Sequence, residues 1–173
     1  GYALARAAAQ RGGDVTLITG PTTLSTPDDV EAVRIETADG MNDAVQARRE
    51  DADYVFMAAA VADYAPVEPS STKQKKSDED LVLHLRRTPD ILKSVGEQKR
   101  PDQVLVGFAM ETNDTVENAR RKLEDKNLDW IVLNDLTEEG AGFGIRGRSS
   151  AAPSRESRVT RFVDGPKPEV AEV

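Results

Sequence analysis

The stretch Tyr54-Val55-Phe56-Met57-Ala58-Ala59-Ala60-Val61-Ala62-Asp63-Tyr64-Ala65-Pro66, followed by Lys73-Gln74-Lys75-Lys76, decides how this chain is read. An apolar run without alternating polar residues predicts a strand over 53–61 buried on both faces, as in a parallel sheet. Its alanines let other groups approach the backbone closely. An acid, a phenol and a proline stand at its carboxyl end, then three lysines within four positions. In open α/β sheets ligands bind outside the carboxyl ends of the strands. Three ammonium groups at such a place call for a polyanionic ligand, most simply a phosphate chain.

Working outward, strand and helix alternate. An amphipathic helix runs from Tyr2 to Arg11 and stops at Gly12-Gly13. Strands are predicted over 14–19 and 33–36, then a helix over 39–50 entered through Thr37 or Asp39. Residues 67–79 are rich in Pro, Ser, Lys and Asp and read as a mobile excursion, left through an alternating strand over Leu81–Leu85. Thr88-Pro89-Asp90 carries an N-cap and N1-proline signature for a helix of about two turns. Val104–Ala109 is a second buried strand, Asn113 or Asp114 caps a helix to about Lys126, and Trp130–Leu133 is a third strand. Residues 135–157 read as loop, 159–163 as a last strand and 166–173 as a helix. The whole predicts a single α/β domain over 1–173. Its expected fold is Rossmann-like and doubly wound, a mostly parallel sheet with helices on both faces. A doubly wound nucleotide fold normally opens with a strand and a glycine-rich turn. Here a helix comes first, so truncation before Gly1 is expected.

Composition narrows the function. The 173 residues hold 31 acidic and 23 basic side chains, a net charge of −8, which disfavours nucleic acid or an anionic membrane as partner. Three of only eight lysines fall in the one cluster, against fifteen arginines spread elsewhere. There is no cysteine, hence no thiolate nucleophile in this chain, and a single histidine, His84, which reads as the outward position of an edge strand. No run of about 18 apolar residues is present to span a bilayer, and no signal-peptide pattern opens the chain. A soluble, cytoplasmic protein is expected.

Three strand ends, at Asp63, at Phe108–Asn113 and at Asn134-Asp135, are expected on one rim. Asp63 suits ribose hydroxyls, a Mg²⁺ shell or simple capping of its loop. Phe108 suits either core or a ligand platform, and Asn134 a turn. Lys122 and Lys126, four apart, share one helix face, where the plain reading is a solvated face near a helix C-terminus. Three readings remain open at this level: a phosphoryl or nucleotidyl transferase, an NAD(P)-dependent Rossmann oxidoreductase, and a non-catalytic nucleotide-binding module. The oxidoreductase lacks its Gly-x-Gly-x-x-Gly and Tyr-x-x-x-Lys patterns and leaves the lysine arm unexplained.

Ala59-Ala60-Val61-Ala62-Asp63-Tyr64-x-Pro66, Lys73-x-Lys75-Lys76, Thr88-Pro89-Asp90-Ile91-Leu92, Gly107-Phe108-Ala109-x-Glu111-Thr112 and Ala119-x-x-Lys122-Leu123-x-x-Lys126 together resemble the phosphopantothenate–cysteine ligase family. In bacteria and archaea that ligase is commonly the C-terminal half of a bifunctional coenzyme A biosynthesis protein. The resemblance implies CTP-dependent ligation of 4′-phosphopantothenate to L-cysteine through an acyl-cytidylate. It makes Lys73 the catalytic lysine, also in contact with CTP. It places Asp63, Phe108, Lys122 and Lys126 on CTP, beside the Ala58, Ala59 and Ala60 backbone and the Thr88, Pro89, Asp90 turn. Tyr64, Lys75, Lys76 and Asn134 are expected around the substrate or just behind these contacts. Mg²⁺ would accompany CTP, with no metal ligands assignable from the sequence. FMN would belong only to a decarboxylase half outside this chain. The resemblance further implies a homodimer, with residues 67–87 as a lysine-bearing arm near the subunit interface. Family members carry a strand and a Gly/Ser/Asn loop before the position of Gly1, so these 173 residues are expected to hold an incomplete site and to turn over weakly alone.

Overall fold

Strand–helix alternation organises the computed structural model, which describes residues 1–70, 72, 73, 80–111, 115–135, 160–164 and 170–172. In chain order the elements are α1 (Tyr2–Ala9), β1 (Val15–Thr19), β2 (Val30–Arg34), α2 (Ala38–Gln46), β3 (Tyr54–Met57), β4 (Tyr64–Pro66), β5 (Leu85–Arg87), α3 (Ile91–Gln98), β6 (Val104–Glu111), α4 (Thr115–Asp125), β7 (Trp130–Asp135), β8 (Thr160–Asp164) and β9 (Val170–Glu172). They group into two compact units, one of Gly1, Arg48–Ala58 and Leu92–Val173, the other of Tyr2–Ala47 and Ala59–Ile91. The expected Rossmann-like α/β class holds.

The first unit carries a five-stranded sheet in the order β3-β6-β7-β8-β9. β3, β6 and β7 are parallel, and β8 and β9 continue the sheet antiparallel. β6 and β7 hold the core: Leu105, Val106, Ala109, Ile131 and Leu133 are buried, with Val95 of α3 and Ala119 and Leu123 of α4 packed there too. Those positions explain why the apolar runs of β6 and β7 show no alternation. Burying each of these leucine, valine and isoleucine side chains contributes roughly 1.5–3 kcal/mol.

β3 departs from expectation. It is four residues long, and Tyr54 and Phe56 are 66% and 48% exposed, so it is not buried on both faces. Among the described residues it pairs only with β6, which makes it an edge strand. The C-terminal helix expected over 166–173 is also corrected. Val170–Glu172 form β9, paired with Arg161–Val163; residues 165–169 and 173 lie outside the described residues. The loop expected over 135–157 lies outside them beyond Asp135, and Asp135 itself ends β7.

The helix ends of the first unit are chemically specified. α4 closes with Asn127 at φ 50°, Asn127 N donating to Glu124 O (3.2 Å) and Leu128 N to Leu123 O (2.9 Å). This 6→1 and 5→2 pair is a Schellman ending, which tolerates Asn in the left-handed region. The Asn127 amide also donates to Gly96 O of α3 at 2.8 Å. Gly96 lies so close to the Lys126 carbonyl that a Cβ at this position would collide with that oxygen. A glycine inside a helix costs about 1 kcal/mol relative to alanine, and here close approach requires it. Asp129 ties the sheet to the same corner, its carboxylate accepting from Lys99 Nζ and from Leu105 N, both at 2.7 Å.

The second unit pairs β1 with β2 in parallel from Val15↔Val30 to Thr19↔Arg34. β2 thus lies over 30–34, earlier than the expected 33–36, because its register is set by β1 and starts directly after Asp29, which turns the chain at φ 57°. Thr37 is the N-cap of α2, accepting from Gly40 N at 3.0 Å, and Met41 and Val45 are buried on its inner face. β4 and β5 form an antiparallel ribbon. The expected strand over Leu81–Leu85 shifts to 85–87, where the partner residues Tyr64–Pro66 lie. Leu81–His84 run exposed ahead of it.

Candidate functional site

Two strand ends of the expected rim are brought together. β6 and β7 run parallel in register from Val106↔Trp130 to Glu111↔Asp135, so their carboxyl ends lie side by side. Asn134 is inside β7, paired with Met110 and with Thr160, and does not turn the chain. β3 ends four rungs short of β6, at Met57↔Gly107, and delivers Ala58 at that level. Phe108 is half-buried in the carboxyl half of β6 beside Val132.

Lys122 and Lys126 are also brought together. They lie in the last turn of α4 and just past it, half-buried, one turn apart on the same face. With Asn118, Arg121 and Asp125 they line a shallow depression of about 280 Å³. Three cations against one carboxylate give this surface an excess of positive charge, in a chain whose net charge is −8. The arrangement suits an anion. α4 returns from the end of β6 to the start of β7. Asn118 and Arg121 were not singled out from the sequence, although the Asn118–Lys122–Lys126 spacing of four carried the signal.

In the second unit, Asp63 and the Thr88–Asp90 turn meet at the root of the ribbon. Thr88 N donates to Asp63 O at 3.0 Å, and Thr88 Oγ1 donates to Ala62 O at 2.5 Å. Thr88 therefore spends its hydroxyl on the strand end and does not cap α3, which starts at Ile91; Asp90 stands in the cap position. The Asp63 carboxylate is exposed, as are Ala59, Ala60, Tyr64 and Pro89. Lys73 is exposed just past a small turn in which Ser70 Oγ donates to Thr72 O at 2.9 Å. Lys75 and Lys76 lie outside the described residues, as do the caps expected at Asn113 or Asp114.

Register shows how the ribbon is built. Thr88 N to Asp63 O and Val67 N to His84 O mark 63/88, 65/86 and 67/84 as hydrogen-bonded pairs. The alternate pairs Tyr64↔Arg87 and Pro66↔Leu85 are then the non-hydrogen-bonded ones, with close side chains. Pro66 loses no ladder bond there, because its missing N–H would have pointed away from β5. Arg86, on the other face, meets Asp39 in the first turn of α2 through both guanidinium nitrogens, Nη1 to Oδ1 at 3.5 Å and Nη2 to Oδ2. That hydrogen bond, then the charge of Asp39, raises the Arg86 pKa above its ordinary value. The pairing was not foreseen from the sequence. Nothing in periodicity links residues 47 positions apart.

Among the described residues no group of three or more His, Asp or Glu is gathered to hold a metal ion, and no helix is long and apolar enough to cross a membrane.

A family model described as the DNA/pantothenate metabolism flavoprotein C-terminal domain matches residues 1–173. The chain belongs to this family. Among pantothenate metabolism flavoprotein relatives, the coenzyme A biosynthesis bifunctional protein CoaBC of Bacillus subtilis (strain 168) is 48% identical over 145 residues, 83% of this chain and 36% of that protein. A protein named cysteine/cysteine sulfinic acid decarboxylase, from an unknown prokaryotic organism, is 43% identical over 173 residues, 99% of this chain and 48% of its own length. The crystal structure of the C-terminal domain of a CoaBC protein superposes with a TM-score of 0.75 at 35% identity, covering all of this chain and 71% of that one. The chain thus spans less than half the length of these two curated relatives. The family membership bears out the resemblance drawn from the motifs.

Proposed function

We propose that the protein ligates 4′-phosphopantothenate to L-cysteine at the expense of CTP, in coenzyme A biosynthesis. Membership of the C-terminal domain family over all 173 residues carries this reading, together with 48% identity to a CoaBC protein over 145 residues. The decarboxylase name of one relative applies to a protein about twice as long as the matched stretch.

In the proposed reaction a carboxylate oxygen of phosphopantothenate attacks the α-phosphorus of CTP. The bond to the bridging oxygen breaks and pyrophosphate leaves. The cysteine amine then attacks the acyl carbon of the acyl-cytidylate, CMP departs, and the nitrogen loses a proton to give the amide. Two anions must be brought together in the first step, so neutralising charge lowers the barrier most. Lys73, a flexible point charge, follows the charge as it moves from the α-phosphate to the pyrophosphate. Asp63 is proposed on the ribose hydroxyls, with the Thr88 turn holding its backbone. Phe108 and the Lys122/Lys126 pair are proposed on the remainder of the nucleotide, with Ala58 to Ala60 lending backbone. A magnesium ion accompanying CTP would need few protein ligands. That the protein is a homodimer and works in the cytoplasm is proposed on the same grounds.

The test is pyrophosphate release by the intact protein with CTP and phosphopantothenate. Lys73→Gln is expected to lower it by about 10²-fold or more, the scale of losing one electrostatic donor at a transition state. Unchanged release would refute the role of Lys73. Parallel titrations with CTP and NADPH separate the ligase from an oxidoreductase, since only the former requires cytidine preference.

A further inference from the structure

The Asp39–Arg86 pair stands outside every role proposed so far, yet it touches the ribbon that leads to Lys73. Exposed ion pairs usually contribute little, with two-point Arg–carboxylate geometry the exception. This pair has that geometry. Its acid is also placed in the first turn of α2, where the helix dipole favours negative charge. The side chains are about half exposed, 44% for Arg86 and 48% for Asp39, so their value to overall stability is small. Their position is more telling. Arg86 pairs with Ala65, which makes it the diagonal neighbour of Asp63 on the same face of the ribbon. Beside it at this root, among the described residues, are the Thr88 bonds to Ala62 and Asp63 and the short ladder itself. An isolated two-stranded ribbon is marginal in water and pivots readily at its base.

We propose that Asp39 and Arg86 form a strut between α2 and the ribbon that positions Lys73 and Asp63 for the nucleotide. The inference rests on the functional reading above. Asp39 and Arg86 are positioning residues; they bear no part in the chemistry. With the strut cut, the ribbon keeps its fold but samples more directions, and misplacement at the ångström scale is costly to catalysis.

The experiment uses the intact protein. Asp39→Asn and Arg86→Gln are each expected to lower kcat for pyrophosphate release about ten-fold, with KM for CTP changed less than about two-fold. The exchanged pair, D39R with R86D, is expected to recover to within about three-fold of wild type, which a simple loss of packing would not do. A second readout is independent of turnover. This chain contains no cysteine, so spin labels at Thr72→Cys and Asp43→Cys meet no competing thiol within it. Their distance distribution is expected to broaden in Asp39→Asn. Single variants within two-fold of wild-type kcat, an exchange no better than the singles, or an unbroadened distribution would each overturn the strut. If Lys73→Gln also leaves release unchanged, the functional reading falls and the positioning role with it. If Lys73→Gln abolishes release while Asp39→Asn does not, the positioning role falls alone.

Discussion

Gly96→Ala sets two physical effects against each other, and the structure says which wins. On helix propensity alone the substitution stabilises α3 by about 1 kcal/mol. The new methyl would nevertheless occupy the place of the Lys126 carbonyl oxygen, a backbone atom held by the Schellman ending of α4. Relieving that overlap requires the two helices to part, an overpacking cost of typically 1–3 kcal/mol. Parting also stretches the Asn127 amide from Gly96 O, now at 2.8 Å, for about 1 kcal/mol more. The net expectation is destabilisation of about 2 kcal/mol, or a Tm lower by about 4–8 °C for a chain of this size. Urea unfolding of the wild type and of Gly96→Ala measures it directly, with Asn127→Ala alongside at about 1 kcal/mol. A Gly96→Ala protein as stable as wild type, or more so, would refute the close approach and leave propensity in command.

Two further predictions concern the start of β6. Gln103 is buried, its amide donating to Arg49 O and Ala52 O, both at 2.6 Å. Gln103→Glu keeps the shape but sets acceptors against acceptors, and is expected to cost about 3 kcal/mol at pH 7 in urea unfolding, more than Gln103→Leu loses from the two orphaned carbonyls. Asp102 is held below the usual carboxylate range, first by the hydrogen bond from Arg100 Nε at 3.2 Å, then by its own backbone N–H and the charge of Arg100. A depressed folded pKa contributes stability that is full above the unfolded value of about 3.9 and is lost as pH falls through the folded one. Asp102→Asn is therefore expected to lower the urea midpoint at pH 6 and to converge with wild type toward pH 2. Equal offsets at both pH values would contradict it.

Residue patterns read β6 and β7 well because each is flanked by two strands, and doubly paired, doubly covered strands carry uninterrupted apolar runs. The same kind of run at Tyr54–Met57 misled, since apolarity does not report how many neighbours a strand has. Leu81–Leu85 alternates like a strand, but its pairing is set by residues 64–66, about twenty positions away. Val170–Glu172 look helical from the preceding proline and charges, and pair instead with β8. At the site, the Lys122–Lys126 face follows from helix period alone. The meeting of Thr88 with Ala62 and Asp63, and of Arg86 with Asp39, depends on chain closure over long separations and leaves no local trace.

Pro66 has a consequence for how the protein keeps its own company. Leu81, Val82, Leu83 and Leu85 are all more than half exposed along one approach to the ribbon, the composition of a segment that recruits further strands. Strand recruitment needs a regular row of outward donors. At the non-hydrogen-bonded position Pro66 interrupts that row on the outer edge of β4 while leaving the inner ladder whole. The β4 edge of the ribbon is thus blunted against further strands even though exposed leucines lie close by, and a residue that restores the donor, such as Pro66→Val, is expected to reopen that edge to strand addition.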